Sequence, residues 1–139
     1  MDAAFDSLEW NSDLNWWSGA ADFTPGHHID LHVQAANDPA ELRAAIERAD
    51  PKWERLRSDE QSIRAAVADQ MTDAHNDYCN PEDEVTKDQF AGRLRLKSVL
   101  FEADGSVELT YPDDGLFGGH WIVVPIGADG VVGEATEVG

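Results

Sequence analysis

Residues 28–46 read His-Ile-Asp-Leu-His-Val-Gln-Ala-Ala-Asn-Asp-Pro-Ala-Glu-Leu-Arg-Ala-Ala-Ile, and within them the apolar spacing lengthens from two residues to between three and four. Ile29, Leu31 and Val33 alternate with His28, Asp30 and His32, the pattern of a strand buried on one face. Asp38-Pro39-Ala40-Glu41 then supplies a helix start, with an N-cap residue, a Pro at the first helical position and an acid at the third. Leu42, Ile46, Ala49, Trp53 and Leu56 continue an apolar stripe at helical spacing. Pro51 should end or kink this helix near Asp50. Ser58-Asp59-Glu60-Gln61 repeats the start signal, and a second helix would bury Ile63, Val67, Gln70 or Met71, Ala74 and Tyr78. Residues 38–79 are therefore expected to form a helical hairpin.

Strands are expected on both sides of it. Upstream, the aromatic-rich Leu14 to Phe23 and the turn signal Thr24-Pro25-Gly26 make residues 8–35 an antiparallel hairpin. Adjacent Trp16 and Trp17 point to opposite faces of such a strand. Downstream, Thr86 to Gly92 suits a short helix that buries Phe90. Leu94 and Leu96 then give way to Val99 and Phe101, a phase change that suggests a bulge or a strand covered on both faces. Asp104-Gly105 is a hairpin turn before Val107, Leu109 and Tyr111, and Leu116 to Ile126 and Val131 to Val138 follow as strands around Asp129-Gly130. Residues 86–139 thus read as a short helix and a meander. The expected fold is α+β: one domain over residues 1–139, with an antiparallel sheet of about six strands and an inserted helical hairpin.

Composition narrows the function. The 139 residues carry 28 Asp and Glu against 10 Lys and Arg, a formal charge of −18 that repels nucleic-acid phosphates and anionic lipid. A hydrophobic share of 42% with five Trp and five Phe excludes whole-chain disorder. The single Cys79 forbids an internal disulfide and suits a reducing compartment. The first thirty residues hold no Lys or Arg, and the longest apolar stretch is Trp121 to Ile126 with Pro125 inside it. Neither a signal peptide nor a membrane span is expected, so the chain reads as soluble and cytoplasmic. Salt adaptation is the plain alternative source of the acidity.

Leu116-Phe117-Gly118-Gly119-His120-Trp121-Ile122-Val123-Val124, preceded by Asp113-Asp114, resembles the closing segment of a bacterial domain-of-unknown-function family, number 2262. In that family a strand reads Leu-Phe-x-Gly-His-x-Ile-x-Val and the chain closes on Gly. Trp16, Trp17 and Gly19, the helical middle, and Phe90 leading to Leu94 and Leu96 are similar too. The chain departs from the pattern in its acidic linker and in Trp121. The resemblance implies a small bacterial protein, some members of the family resembling immunity proteins encoded near secreted toxins. It carries over no catalytic residue.

Three groups of residues are candidates for function. Asp69, Asp73 and Asp77 lie at i, i+4 and i+8, and Glu82, Asp83 and Glu84 extend their charge. Like charges at this spacing cost a helix roughly 0.2–0.5 kcal/mol per pair, and carboxylates near a helix C-terminus oppose its dipole, so folding alone does not favour the row. These six carboxylates, with an outward Trp17 as aromatic anchor, are read as a docking surface for a basic protein partner. The leading expectation is a non-enzymatic immunity protein that occludes a basic toxin such as a nuclease. A DNA-mimic inhibitor of a nucleic-acid-binding protein would use the same charge. The enzymatic alternative pairs His120 with Asp113 or Asp114 for proton transfer, or holds a metal on His28 and His32, with His75 and Cys79 as a second ligand-like pair. No metal set of recognised spacing is present, no sequence pattern places a Ser or Cys nucleophile beside His120, and no cofactor is called for.

Overall fold

The structure is a computed structural model that describes residues 3–139. Among them, seven strands form one sheet in sequential order: β1 (Glu9–Asn11), β2 (Trp16–Thr24), β3 (His27–Val33), β4 (Ser98–Phe101), β5 (Val107–Pro112), β6 (Trp121–Ile126) and β7 (Thr136–Val138). Between β3 and β4 stand a long helix α1 (Pro39–Tyr78) and a short one, α2 (Lys87–Arg93). The fold is α+β. Gly26 and Gly105 take positive φ at the tight turns expected after β2 and β4.

The inserted hairpin is corrected to a single helix of 40 residues, about 60 Å long. Both local break signals are overridden by burial. Pro51 sits on the exposed side, where its missing N–H costs one intrahelical bond. Ser58 Oγ donates back to Glu54 O instead of capping a new start, and Asp59 pairs with Arg55 one turn earlier. Because Pro in a helix interior costs about 3 kcal/mol relative to Ala, Pro51→Ala should stabilise the chain by roughly 1–3 kcal/mol. The check is a rise in thermal midpoint with unchanged helical circular dichroism.

One continuous helix also explains a second departure. A helical hairpin returns the chain to the end it left, so the next strand would run antiparallel to β3. A single helix leaves it at the opposite end, and β4 pairs with β3 in parallel, Leu31 beside Val99 and Val33 beside Phe101. All other neighbours in the sheet are antiparallel.

Ile29, Leu31, Val33, Val99, Phe101, Leu109, Tyr111, Ile122 and Val124 form the buried face of the sheet, closed by the stripe Ile46, Ala49, Trp53, Leu56, Ile63, Val67 and Met71 of α1. Trp53 is fully buried, edge-on to Phe5 and Phe23. Beyond Val67 the stripe drifts: Met71, Thr72 and His75 are buried, whereas Ala74 is exposed and Tyr78 is 90% exposed. A straight helix of 3.6 residues per turn moves ahead of a seven-residue repeat. Leu94 and Leu96 are buried in an irregular connection before β4, which accounts for the change of apolar phase. No described helix is long and apolar enough to cross a membrane.

Candidate docking site at the acidic end of α1

The carboxylates of the last turns of α1 all face solvent. Asp69, Asp73 and Asp77 are exposed, as are Glu82, Asp83 and Glu84 in the turn that follows. No Lys or Arg occurs between Arg64 and Lys87. Lys87 reaches Asp69 at 3.3 Å, and the other five carboxylates make no ion pair among the described residues. Asn76 holds the acidic turn in place. Its side-chain amide donates to Val85 O at 2.8 Å, and its Oδ1 accepts from Val85 N–H at 3.0 Å. The fixed charge is felt nearby: burial, then Glu84 and Asp83, push the Cys79 thiol above its usual range and keep it protonated.

The family-like segment packs against this end. Phe117 meets the rings of His75 and Phe90 edge-on, at 5.9 and 6.1 Å between centroids. Together they leave an open cavity of about 370 Å³, lined by His75, Tyr78, Cys79, Leu116, Phe117 and Glu137 among others. An exposed tyrosine ring, a phenylalanine and a carboxylate around one opening suit a cationic side chain.

Leu116 to His120, expected as the start of a strand, is a loop wound on one carboxylate. Asp113 is 2% exposed and accepts four backbone N–H groups: Gly115 at 2.9 Å, Phe117 at 2.9 Å, Gly119 at 3.2 Å and His120 at 2.9 Å. Burial raises the pKa of this carboxyl, but the four donors outweigh it and hold the group below the usual carboxylate range. Gly118 and Gly119, both at positive φ, shape this turn: the Gly119 amide reaches Asp113, while the Gly118 amide donates to Gly115 O at 3.3 Å. The strand proper begins at Trp121.

The proposed proton-transfer pair is therefore not formed by side chains. Asp113 meets the His120 backbone, Asp114 pairs with Arg93 at 3.2 Å, and the His120 ring contacts Phe117 O at 2.6 Å and Glu137 at 3.2 Å. The histidines are dispersed as well. His28 pairs with Asp22, while His32 bonds Ser18 at 2.9 Å and stacks on Trp16. His75 Nδ1 contacts Asn76 Oδ1 at 2.9 Å, and Cys79 Sγ donates to Asn76 O. Among the described residues no three His, Cys, Asp or Glu side chains are arranged for a metal. Trp17 shares the covered face with Val33, packs on Trp10 and donates its indole N–H to Ala36 O at 3.0 Å. Tyr78, first read as a core residue, is the aromatic that stands free beside the carboxylates.

Sequence reasoning missed a second set. Glu60, on the apolar stripe of α1, is 7% exposed and accepts from Tyr111 Oη at 3.1 Å and Arg64 Nε at 2.8 Å. Burial and the neighbouring Glu60 carboxylate keep the Tyr111 phenol protonated, as the donor of that bond. An acid where Leu56 and Ile63 set the helical spacing was the available signal.

No curated protein and no solved structure matches the chain. The sequence model of one bacterial family does match, over residues 2–136, so the chain belongs to the family described as "Uncharacterized protein conserved in bacteria", DUF2262.

Proposed function

We propose that this chain is a binding protein that docks a basic protein partner on the end of α1, in the manner of an immunity protein occluding a cationic toxin such as a nuclease. The observation that carries it is the exposed row Asp73, Asp77, Glu82, Asp83 and Glu84, without an ion pair among the described residues, around the 90% exposed Tyr78 and beside a cavity with Glu137 in its wall. A nuclease cleft is electropositive because it must hold phosphate. A carboxylate surface complements it and accelerates encounter, and an exposed aromatic ring supplies a desolvated anchor. The mechanism is steric and electrostatic occlusion, with no bond made or broken, and the working compartment is the cytoplasm, where one unpaired cysteine is at home. A DNA mimic needs more: three carboxylates at about 6 Å intervals along α1 cover only a short length of a phosphate track.

The test uses the protein encoded beside this gene as the partner. Wild type should bind it with an affinity that falls as salt rises, and Asp73→Lys/Asp77→Lys should bind at least tenfold more weakly. Tyr78→Ala, a change at an exposed position, should weaken binding by roughly thirtyfold, the size of a hot-spot loss. Binding indifferent to salt and to these substitutions would overturn the proposal.

A further inference from the structure

All ten Lys and Arg residues fall between Arg43 and Lys97. Arg64, Arg93 and Arg95 line one cleft of about 690 Å³, together with His27. It shares no lining residue with the cavity beside Tyr78. Glu60 and Asp114 are its carboxylates, so three guanidiniums against two acids leave the lining one charge positive within a chain of −18.

The guanidiniums are only partly used. Arg64 commits its Nε to Glu60 at 2.8 Å, and its terminal nitrogens make no other hydrogen bond among the described residues. Arg93 is held by Asp114, through the side chain at 3.2 Å and through the backbone carbonyl. Arg95 is exposed and has no ion-pair or hydrogen-bond partner among the described residues. Arg64 and Arg93 are each balanced by a carboxylate, whereas folding gains nothing from Arg95, the charge left over. An anion between the three would compensate it and draw on the donors the other two leave free. Phe23, Leu94 and Leu96 add apolar atoms to the lining, and the Tyr111–Glu60 hydrogen bond holds the carboxylate that pairs with Arg64. Charged donors beside apolar lining, at this volume, are the make-up of a small-molecule site.

We infer that the cleft binds a small organic anion, a carboxylate or a phosphate ester. Its head group lies on the forked donors of Arg64, Arg93 and Arg95, and its apolar part lies against Phe23 and Leu96. The far field of a strongly acidic chain repels such a ligand, so recognition has to come from short-range donors of this kind.

Titration of the full chain with phenyl phosphate and with phenylacetate, at matched ionic strength in chloride, tests this. Saturable binding of one or both is expected, and the stronger probe identifies the head group. Arg95→Gln and Arg93→Gln, at exposed positions, should each weaken it by roughly tenfold or more with circular dichroism unchanged. Asp73→Lys/Asp77→Lys should not weaken it, since the added positive charge only eases the approach of an anion, which separates this site from the docking surface. Failure of both probes to saturate, or equal binding by wild type and the arginine variants, would overturn the inference.

Discussion

Arg64→Ala is expected to destabilise the chain by about 3 kcal/mol, a fall of roughly 10 °C in thermal midpoint for a domain of this size. The guanidinium covers a carboxylate whose side chain is only 9% exposed. Removing it leaves Glu60 buried with Tyr111 as its single remaining donor. A stranded charge in that position loses far more than the net worth of the pair, because the desolvation of the carboxylate is no longer offset. The pair itself is a different matter. Glu60→Met/Arg64→Met/Tyr111→Phe removes charge, partner and hydroxyl together and should lie close to wild type in stability. Urea denaturation of the two variants distinguishes the cases: a triple variant as unstable as Arg64→Ala would mean that the network contributes net stability. If the apolar replacement is tolerated, stability alone does not account for an acid on the inner face of α1. The arginine cleft then does, since Glu60 fixes Arg64 in its lining.

That acid also shows where sequence reading reached and where it stopped. The alternation around Ile29, Leu31 and Val33 and around Val107, Leu109 and Tyr111 is a local, period-two signal, and the strands are where it places them. The stop at Pro51 and the restart at Ser58-Asp59-Glu60 are local signals too, but their outcome depends on contacts far along the chain. Glu60 reads as a first-turn acid until Tyr111, fifty-one residues on, is seen to donate to it. From that one misreading the strand direction follows, because two helices and one helix leave the chain at opposite ends of the sheet. The same logic separates Tyr78 from the core. A stripe extrapolated at constant spacing reaches Ala74 and Tyr78, while the true helical period brings in Thr72 and His75. The exposure of the acidic row from Asp69 to Glu84 was legible because charge and exposure go together. The cleft was not, since Arg64, Arg93 and Arg95 come from α1, the end of α2 and the connection to β4, which only the tertiary fold assembles.

The loop of the family-like segment yields the second large effect. Asp113→Ala removes the acceptor of four backbone N–H groups at once and should destabilise by roughly 2–4 kcal/mol, less than the sum of four bonds because the loop can open to water. Asp113→Asn keeps the shape but offers one carbonyl oxygen and no charge, so it should fall between the two. The pH dependence gives an independent reading with a definite sign. A carboxyl whose pKa is depressed in the folded state releases its proton more readily there than in the unfolded chain. Its contribution is therefore complete above the unfolded carboxylate value, about 3.9, and is lost as pH falls towards the folded one. Wild type should lose that increment on acidification, while Asp113→Asn, which has no proton to take up, should show a shallower decline. Loss of the loop should also disturb the proposed docking surface, because the Phe117 that packs on His75 and Phe90 is tied to Asp113 through its own N–H. Asp113→Ala is thus expected to weaken the basic partner although the residue itself is buried. If partner affinity survives while the loop melts, the cavity beside Tyr78 contributes nothing and the exposed carboxylates alone carry the interaction.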